Sequence, residues 1–194
     1  MSTQLSLEGI EEPRPPTDAL FFALVPDAQA LGQIGQRVKD FRDKFGLKSE
    51  PLATDRFHIT LYYLGAYAGV PQSVAAGARE AAESIRVAPF ELVFDRAMSF
   101  SGKRGNSPFV LCSSEVPNTL TTLQQTLRAA VGMAGLGKWK QPAFLPHVTL
   151  LYDGRRVPEQ AVEPIRWTVS EFVLVHSLLG QSRHEPLARW PLVA

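Results

Sequence analysis

Two short motifs contain the side chains best suited to catalysis. The sequence HITL begins at His58 and the sequence HVTL begins at His147, so Thr60 and Thr149 each follow a histidine by two residues. Both motifs lie among β-branched and aromatic residues typical of a strand, in which alternate side chains share a face. Each motif therefore presents an imidazole beside a hydroxyl. A single His-x-Thr match would be weak evidence, whereas two matches in strand-like segments are more specific.

Two imidazoles and two hydroxyls suit hydrolysis or transfer at a phosphodiester. Such a reaction needs a base for the nucleophile, an acid for the leaving oxygen and hydrogen-bond donors for the phosphoryl oxygens. Histidine can take either proton-transfer role because its ordinary pKa, about 6.5, is close to working pH. The sequence has neither Cys-x-x-Cys nor His-x-x-x-His, so we expect catalysis without a metal or another cofactor. A metal held by the two histidines and Asp153 is the alternative.

The elements that must position these motifs alternate between strand and helix patterns. Apolar runs predict strands at residues 19–25, 57–65, 90–95, 108–112, 144–153 and 188–193, and a strand region with a break at 165–179. Apolar residues at three- and four-residue spacing predict helices at 27–45, 71–85 and 118–131. Strand, helix and a His-x-Thr strand occur once in each half. This order predicts an α+β fold with two similar lobes facing one central cleft.

Length, composition and charge exclude several other classes of protein. The chain has 194 residues, 45% of them hydrophobic, and 20 Lys and Arg against 19 Asp and Glu. This suits a single globular domain at residues 18–194, and a net charge of +1 does not favour broad binding to DNA or to anionic lipid. The longest apolar run, Ala19–Val25, is too short to cross a bilayer. Residues 1–17 predict a flexible tail without a secretory signal, so we expect a cytoplasmic protein with no membrane partner.

Around both motifs the sequence resembles the 2H phosphoesterases, a superfamily named for paired His-x-Thr motifs, and within it the 2′-5′ RNA ligase-like RNA 2′,3′-cyclic phosphodiesterases. LFFALVP at residues 20–26 is similar to the opening strand of that family. HITLYYLG at 58–65 and FLPHVTLLYD at 144–153 are similar to its two motif blocks, and RWPLV is similar to its closing segment. The resemblance implies two lobes, each an antiparallel sheet backed by helices, with the His-x-Thr strands lining the central cleft.

The resemblance also implies roles for the motif residues. His58 and His147 would form an acid and base pair, and Thr60 and Thr149 would bind phosphoryl oxygens. We expect His147 to activate water and His58 to protonate the departing ribose oxygen. The implied reaction opens a 2′,3′-cyclic phosphate, at an RNA terminus or on a small nucleotide, to a 2′-phosphomonoester. Its reversal can join RNA ends through a 2′-5′ linkage.

One departure from the family concerns the residues just after the motifs. Many relatives carry a basic residue shortly after one of the two motifs. Here Tyr62 and Leu151 stand two residues beyond the threonines, at positions that strand alternation places on the cleft face. Tyr62 is therefore a candidate for contact with the substrate.

Two charged or aromatic loops are further candidates for substrate binding. Trp139 and Lys140 could stack on a base and pair with a phosphate, or could form a solvated loop around a packed indole. Lys103 and Arg104 could overhang the cleft, or could simply solubilise a hairpin. The sequence leaves both alternatives open for each loop.

The remaining reactive residues receive structural interpretations. His176 and His184 lack the Thr partner and are expected to be structural or surface residues. Cys112 lies in an apolar stretch and is expected to be a buried, unreactive thiol.

The leading expectation is hydrolysis by a monomer that acts on an RNA terminus or a small nucleotide. Two other functions stay open. The protein could be a non-catalytic module that binds RNA or nucleotide ends, or a phosphodiesterase for linear 2′-5′ linkages or for a non-RNA cyclic phosphate.

Overall fold

The computed structural model describes residues 14–194. Within them the chain forms eight strands and three helices. The strands are β1 (Asp18–Leu24), β2 (Ile59–Tyr67), β3 (Phe90–Ser99), β4 (Ser107–Cys112), β5 (His147–Asp153), β6 (Gln160–Val169), β7 (Glu171–Leu178) and β8 (Arg183–Pro191). The helices are α1 (Ala28–Phe45), α2 (Gln72–Glu83) and α3 (Asn118–Met133), and a 3-10 turn at Thr54–Arg56 precedes β2.

The strands form two four-stranded sheets, in the orders β2-β1-β7-β8 and β5-β4-β3-β6. Every pair of neighbouring strands is antiparallel. This architecture confirms the predicted α+β fold built from two sheet-and-helix lobes. The motif strands β2 and β5 each lie at the edge of a sheet, paired on one side only. Because the other side of each strand is free, both can line a shared cleft.

Helix α1 begins and ends at the residues that its sequence signals predict. The Asp27 carboxylate accepts a hydrogen bond from the Ala30 amide at 2.8 Å, which caps the first turn. Gly46 ends the helix with a left-handed backbone, φ 63°. On the buried face, the Phe41 ring meets the Phe109 ring of β4 edge-on, with centroids 5.8 Å apart. The helix that follows β1 in the chain therefore packs against the other sheet.

Helices α2 and α3 cover the sheet that contains β2. Leu120, Leu123 and Leu127 of α3 are fully buried, and α3 lies against β2 and α2. Because α1 and α3 each pack on the sheet of the other half, the buried side chains of both halves form one continuous core. Burial of this core fixes the two motif strands relative to each other.

The last three strands differ most from the sequence prediction. The predicted strand region at 165–179 is two strands, β6 and β7, with the break at Ser170. β6 and β8 also begin earlier than predicted. Both are edge strands with exposed polar side chains and an internal proline, Pro164 or Pro186, so their patterns are weak. An edge strand tolerates proline because one of its sides has no partner to bond.

The predicted N-terminal tail falls mostly outside the described residues. Of its last four residues, Thr17 is held in place: its amide donates to the Tyr67 carbonyl at 2.9 Å, and its carbonyl accepts from the Leu179 amide at 2.9 Å. Among the described residues, none of the helices combines the length and the apolar character that a bilayer crossing requires.

Candidate active site

The two motif histidines are held by the same local hydrogen bond. The Nδ1 atom of His58, directly before β2, lies 2.7 Å from the Arg56 carbonyl oxygen, and Nδ1 of His147 lies 2.6 Å from the Leu145 carbonyl oxygen. A carbonyl can only accept, so Nδ1 carries the proton in both rings. In the neutral form each Nε2 then has a free lone pair, and in the charged form it is a donor. Both imidazoles are thus set to exchange a proton through Nε2.

Burial lowers the pKa of both motif histidines. The pKa of His58 falls to about 4, mainly through burial, while the hydrogen bond to Arg56 opposes the fall and the charges of His184, His147 and Arg56 add to it. The pKa of His147 is also lowered by burial, against the opposing hydrogen bond to Leu145. Because the charge of His147 acts on His58, the two rings lie within electrostatic reach of each other.

One cleft brings the two motifs together. Thr60 of β2 and His147 of β5 line the same cavity of about 110 Å³. Its other walls come from Leu61 and Tyr63 of β2, from Gln124 of α3 and from the segment 141–145 that leads into β5, whereas His58 and Thr149 lie outside this lining. Residues from two sheets and one helix therefore converge on a space that a phosphodiester group could enter.

Gln124 is a cleft residue that the sequence analysis did not identify. Its side chain is only 8% exposed, although glutamine is usually a surface residue. The signal is visible in the sequence, because Gln124 lies beside Leu123 and Leu127 on the apolar stripe of α3. A polar residue at a core position of a helix commonly faces a cavity or a buried partner. Here its amide faces the cleft.

A β-bulge follows each motif and reverses the side-chain alternation. Thr60 pairs with Ala23 and Tyr62 with Phe22, so Leu61 is an extra residue in β2. Consequently Leu61 and Tyr62 both point into the core, and Tyr62 is only 4% exposed. The prediction that Tyr62 contacts the substrate is therefore wrong, because it assumed unbroken alternation. Its neighbour Tyr63 lines the cleft instead.

The second motif repeats this bulge. Val110 pairs with Thr149 and Phe109 with Leu151, which leaves Leu150 as the extra residue of β5. Leu151 is fully buried in the core, contrary to the expectation that it faces the cleft. Tyr152 takes the outward position and is 44% exposed. Tyr63 and Tyr152 are thus matching residues in the two motif strands.

Aromatic rings support the two histidines from different surroundings. Phe21 stacks on the His58 ring with centroids 4.9 Å apart, and the His184 ring of β8 meets His58 edge-on at 5.2 Å. The ring that contacts His147 is Phe100, at 4.8 Å. His184, expected to be a structural or surface residue, is therefore part of the His58 environment. The sequence analysis did not predict this contact, because β8 is far from His58 in the chain. The two come together only when the strands assemble into one sheet.

The segment before β5 is fastened to the free edge of β2. The Gln141 side chain accepts a hydrogen bond from the Tyr63 amide at 3.1 Å and donates to the Tyr63 carbonyl at 2.8 Å. It also donates to the Trp139 carbonyl at 3.1 Å. The amide side chain thus imitates one residue of a neighbouring strand and satisfies backbone groups that an edge strand leaves open. This clamp joins the two lobes at the cleft.

Trp139 and Lys140 lie beside the cleft and outside the lining of its central cavity. The Trp139 ring packs edge-on against Tyr63, with centroids 6.0 Å apart, and lines a separate cavity of about 570 Å³ with Lys138. Lys140 is exposed. Their contacts with substrate stay a prediction.

Lys103 and Arg104 lie on the turn between β3 and β4, which meets the other end of β5. In that turn Lys103 pairs with Asn106, and Gly105 lies against Gly154, just past the end of β5. His147 is at the opposite end of the same strand. Both cations are exposed, which agrees with the alternative of a solvated hairpin, and their contact with substrate stays a prediction.

Asp153 has a structural use that competes with metal binding. Its carboxylate accepts hydrogen bonds from the amides of Lys48, Ser49 and Arg155 at 2.7 to 2.8 Å. Burial alone would raise its pKa, but these bonds lower the pKa to about 2. Asp153 also ends β5, whereas His147 begins it. Among residues 14–194, no group of three or more His, Cys, Asp and Glu side chains is arranged to hold a metal ion.

Cys112 lies in a second cavity that adjoins the cleft. It is half-buried, and this cavity of about 330 Å³ shares Leu145 with the cleft and includes Phe100 beneath His147. Burial, followed by the nearby Glu159, raises the pKa of the Cys112 thiol to about 11. A thiol that stays protonated is a poor nucleophile, in agreement with the predicted unreactive cysteine.

Comparison with solved structures places the fold among phosphoesterases. Escherichia coli LigT in its apo form matches with a TM-score of 0.72 and 28% identity, over 93% of this chain and 100% of LigT. LigT complexed with 3′-AMP matches with a TM-score of 0.71 and 28% identity over the same shares. A Thermus thermophilus protein matches with a TM-score of 0.69 and 23% identity, over 90% of this chain and 97% of its own, which shows the fold alone.

Sequence comparisons give the family. No curated protein sequence matches the chain. The model of the 2′-5′ RNA ligase superfamily matches residues 26–181, a range that contains both His-x-Thr motifs. Together with the two edge strands, the matching bulges and the cleft lined by residues of both motifs, this match shows that the chain belongs to the 2′-5′ RNA ligase superfamily, with the fold of a 2H phosphoesterase.

Proposed function

We propose that this protein is a phosphodiesterase that hydrolyses the 2′,3′-cyclic phosphate of an RNA terminus or a nucleotide to a 2′-phosphomonoester. The observation that carries the proposal is the matched pair of Nδ1 hydrogen bonds at His58 and His147. They leave an equivalent Nε2 atom in each motif, and Thr60 of one motif and His147 of the other line one cleft. Hydrolysis of a phosphodiester needs one proton acceptor and one proton donor on opposite sides of the phosphorus atom.

The reaction is a displacement at phosphorus. The water oxygen forms a bond to phosphorus as its proton passes to one neutral imidazole. The bond from phosphorus to O3′ breaks, and the second imidazole, in its charged form, gives its proton to O3′. In the proposed assignment His147 accepts the proton from water and His58 supplies the proton to O3′. After product release the two rings exchange protons with solvent and the cycle repeats.

The free protein must gain a proton when it binds the phosphate. Burial lowers the pKa of both histidines, so both are mostly neutral at pH 7 before substrate enters. The negative charge of the phosphodiester favours the charged form of a nearby imidazole. Substrate binding therefore raises the pKa of the ring that will act as the acid.

The threonines complete the site as donors to the phosphoryl oxygens. Thr60 is exposed at the cleft and Thr149 is half-buried, and each follows its histidine on the same face of a strand. Hydrogen bonds to a charged oxygen are stronger than those between neutral groups. The capture of 3′-AMP by LigT, a relative of 28% identity, supports a phosphorylated nucleoside as the occupant.

The test is an assay on defined cyclic phosphates. Purified protein is incubated in excess chelator with the four nucleoside 2′,3′-cyclic monophosphates and with a cyclic-ended oligoribonucleotide. Chromatography against authentic standards should identify 2′-monophosphates as products. Thr60→Val should slow the reaction by about 10²-fold, whereas the matched control Thr168→Val, on the exposed face of β6, should not.

Other products would overturn the proposal in distinguishable ways. Tight, salt-dependent binding of RNA ends with no turnover would establish the binding-module alternative. Cleavage of linear 2′-5′ dinucleotides, with no action on cyclic phosphates, would establish the other phosphodiesterase. A 3′-monophosphate product would reverse the proposed leaving group. Loss of activity in chelator, restored by a divalent cation, would contradict the two-histidine mechanism.

A further inference from the structure

The larger cavity beside the cleft has the lining of a nucleobase site. Its volume is about 570 Å³, and its walls combine the rings of Tyr67 and Trp139 with the apolar side chains of Val74 and Leu136. Lys138 contributes the one cation of this lining. Aromatic rings next to a cation are the combination by which proteins bind single-stranded RNA, through stacking on bases and pairing with phosphates.

Trp139 is fixed in this cavity and still has an open surface. Gly65 of β2 has a φ of 136°, and a Cβ there would overlap the Trp139 indole nitrogen and approach the Tyr67 hydroxyl to 2.7 Å. The glycine therefore provides the space in which the indole rests against the strand. Trp139 is nevertheless 43% exposed. A ring held on one side and open on the other can stack with little loss of conformational freedom.

The cavity adjoins the catalytic cleft. Tyr63 lines the cleft and packs against Trp139, and Gln141 lines the cleft and is hydrogen-bonded to the Trp139 carbonyl. The segment from Lys138 to Leu145 passes from one cavity to the other along the free edge of β2. A bound strand could follow the same edge.

The Trp139 ring lies farther along β2 than the threonine of the cleft. Thr60 pairs with Ala23 of β1, and Gly65, against which the indole rests, pairs with Leu20, so the two positions are three residues apart along β1, about 10 Å at roughly 3.3 Å per residue. A stacked strand advances about 3.4 Å per nucleotide, so about three stacked nucleotides, or fewer extended ones, cover this span. A base stacked on Trp139 then belongs to a nucleotide upstream of the reacting end.

We propose that the Trp139 cavity is a subsite for an upstream base of a single-stranded RNA whose 3′ end occupies the catalytic cleft. This inference rests on the proposed function for the identity of the reacting end. It makes an oligoribonucleotide the preferred substrate over a mononucleotide. The base stacks on Trp139, and Lys138 and Lys140, both exposed, pair with the phosphates on either side.

The test compares two substrates in three variants of the full chain. Trp139→Ala should lower kcat/KM about 10-fold or more for a cyclic-ended hexaribonucleotide, since stacking on an aromatic ring contributes about 1–3 kcal/mol per base. The same variant should change kcat/KM for a nucleoside 2′,3′-cyclic monophosphate less than two-fold. Trp139→Phe should recover most of the loss, and Met133→Ala, an 83% exposed apolar residue nearby in the chain, is the matched control.

Equal losses on both substrates would overturn the subsite, because they would show that Trp139 supports the cleft itself. An unchanged rate on the hexanucleotide would overturn it too.

A binding measurement separates this inference from the proposed function. The fluorescence of Trp139 should be quenched by a hexaribonucleotide with a 3′-phosphate and not by a nucleoside monophosphate, and the change should be lost in Trp139→Phe. If the protein hydrolyses no cyclic phosphate but this quenching is seen, the reaction is wrong and the subsite stands. Hydrolysis without such quenching, together with equal rates on both substrates, would leave the reaction standing and exclude the subsite.

Discussion

The two motif strands have the same backbone design and different surroundings. In both, a histidine donates from Nδ1 to the carbonyl two residues earlier, a threonine follows, and a bulge turns the next two side chains into the core. Around His58, however, lie Phe21, His184 and the Arg56 charge, whereas Phe100 is the ring against His147.

This difference shows how a near-symmetric scaffold can support two unlike proton transfers. The backbone presents the imidazoles identically, so the geometry does not distinguish an acid from a base. The neighbouring charges differ, because those of His184 and Arg56, besides that of His147, lower the pKa of His58. Each of the following experiments changes a residue at or around one motif strand, and the unchanged residues of the other motif strand serve as the control.

Removal of either imidazole is expected to have the largest effect. His58→Ala and His147→Ala should each lower kcat on a nucleoside 2′,3′-cyclic phosphate by at least about 10²- to 10⁴-fold, the usual contribution of a positioned proton transfer. Steady-state rates measure the loss, and circular dichroism checks the fold. The control His176→Gln removes an imidazole that bonds Asp18 away from the cleft and should retain activity. Substantial activity in either folded alanine variant would contradict the mechanism.

The bulges predict opposite results at adjacent tyrosines. Tyr62→Ala should lower the free energy of unfolding by about 3–5 kcal/mol, because it empties a core position. Tyr63→Ala should cost less stability and should lower kcat/KM, since Tyr63 lines the cleft. Urea denaturation and steady-state rates separate the two effects.

The second motif provides the matching pair. Leu151→Ala should destabilise by about 2–5 kcal/mol, and Tyr152→Ala, at an exposed position, by no more than about 0.5 kcal/mol. A strand without bulges would reverse both orders, so stability losses at Tyr63 and Tyr152 larger than those at Tyr62 and Leu151 would contradict the observed register.

Acidification should destabilise the protein, and more through His58 than through His147. The folded-state pKa of His58 is about 4, below the ordinary value near 6.5, so the unfolded chain takes up the proton first. The stabilisation present above pH 6.5 is therefore lost as pH falls toward 4, by up to about 3 kcal/mol. Urea denaturation at pH 7 and pH 4.5 measures this loss. His58→Asn should reduce the difference, and His147→Asn should reduce it less; the reverse order would contradict the unequal surroundings.

Replacement of His184 should have the smallest effect and should act on one motif only. His184→Phe keeps an aromatic ring against His58 and removes a group whose charge lowers the His58 pKa. The pKa of His58 should rise by a fraction of a unit, while that of His147 should not change. NMR titration of the imidazole protons measures both. Equal shifts at the two histidines would show that His184 acts through the whole cleft.

The sequence by itself determined the class of fold and supplied the candidate catalytic residues. Two His-x-Thr motifs in strand-like segments identified the candidate residues His58, His147, Thr60 and Thr149. The alternation of strands with amphipathic helices predicted two lobes. These features are local, since they depend on side-chain type and on the period of apolar residues. The helix capped by Asp27 was predicted within a residue for the same reason.

Tertiary structure alone decided what surrounds those motifs. The bulges that bury Tyr62 and expose Tyr63 arise from pairing with β1, and a one-residue change of register moves a side chain to the opposite face. His184 and Gln124 reach the site through sheet order and helix packing, which join residues far apart in the chain. Spacing in a sequence records which residues share a local face. The folded core alone decides which faces meet.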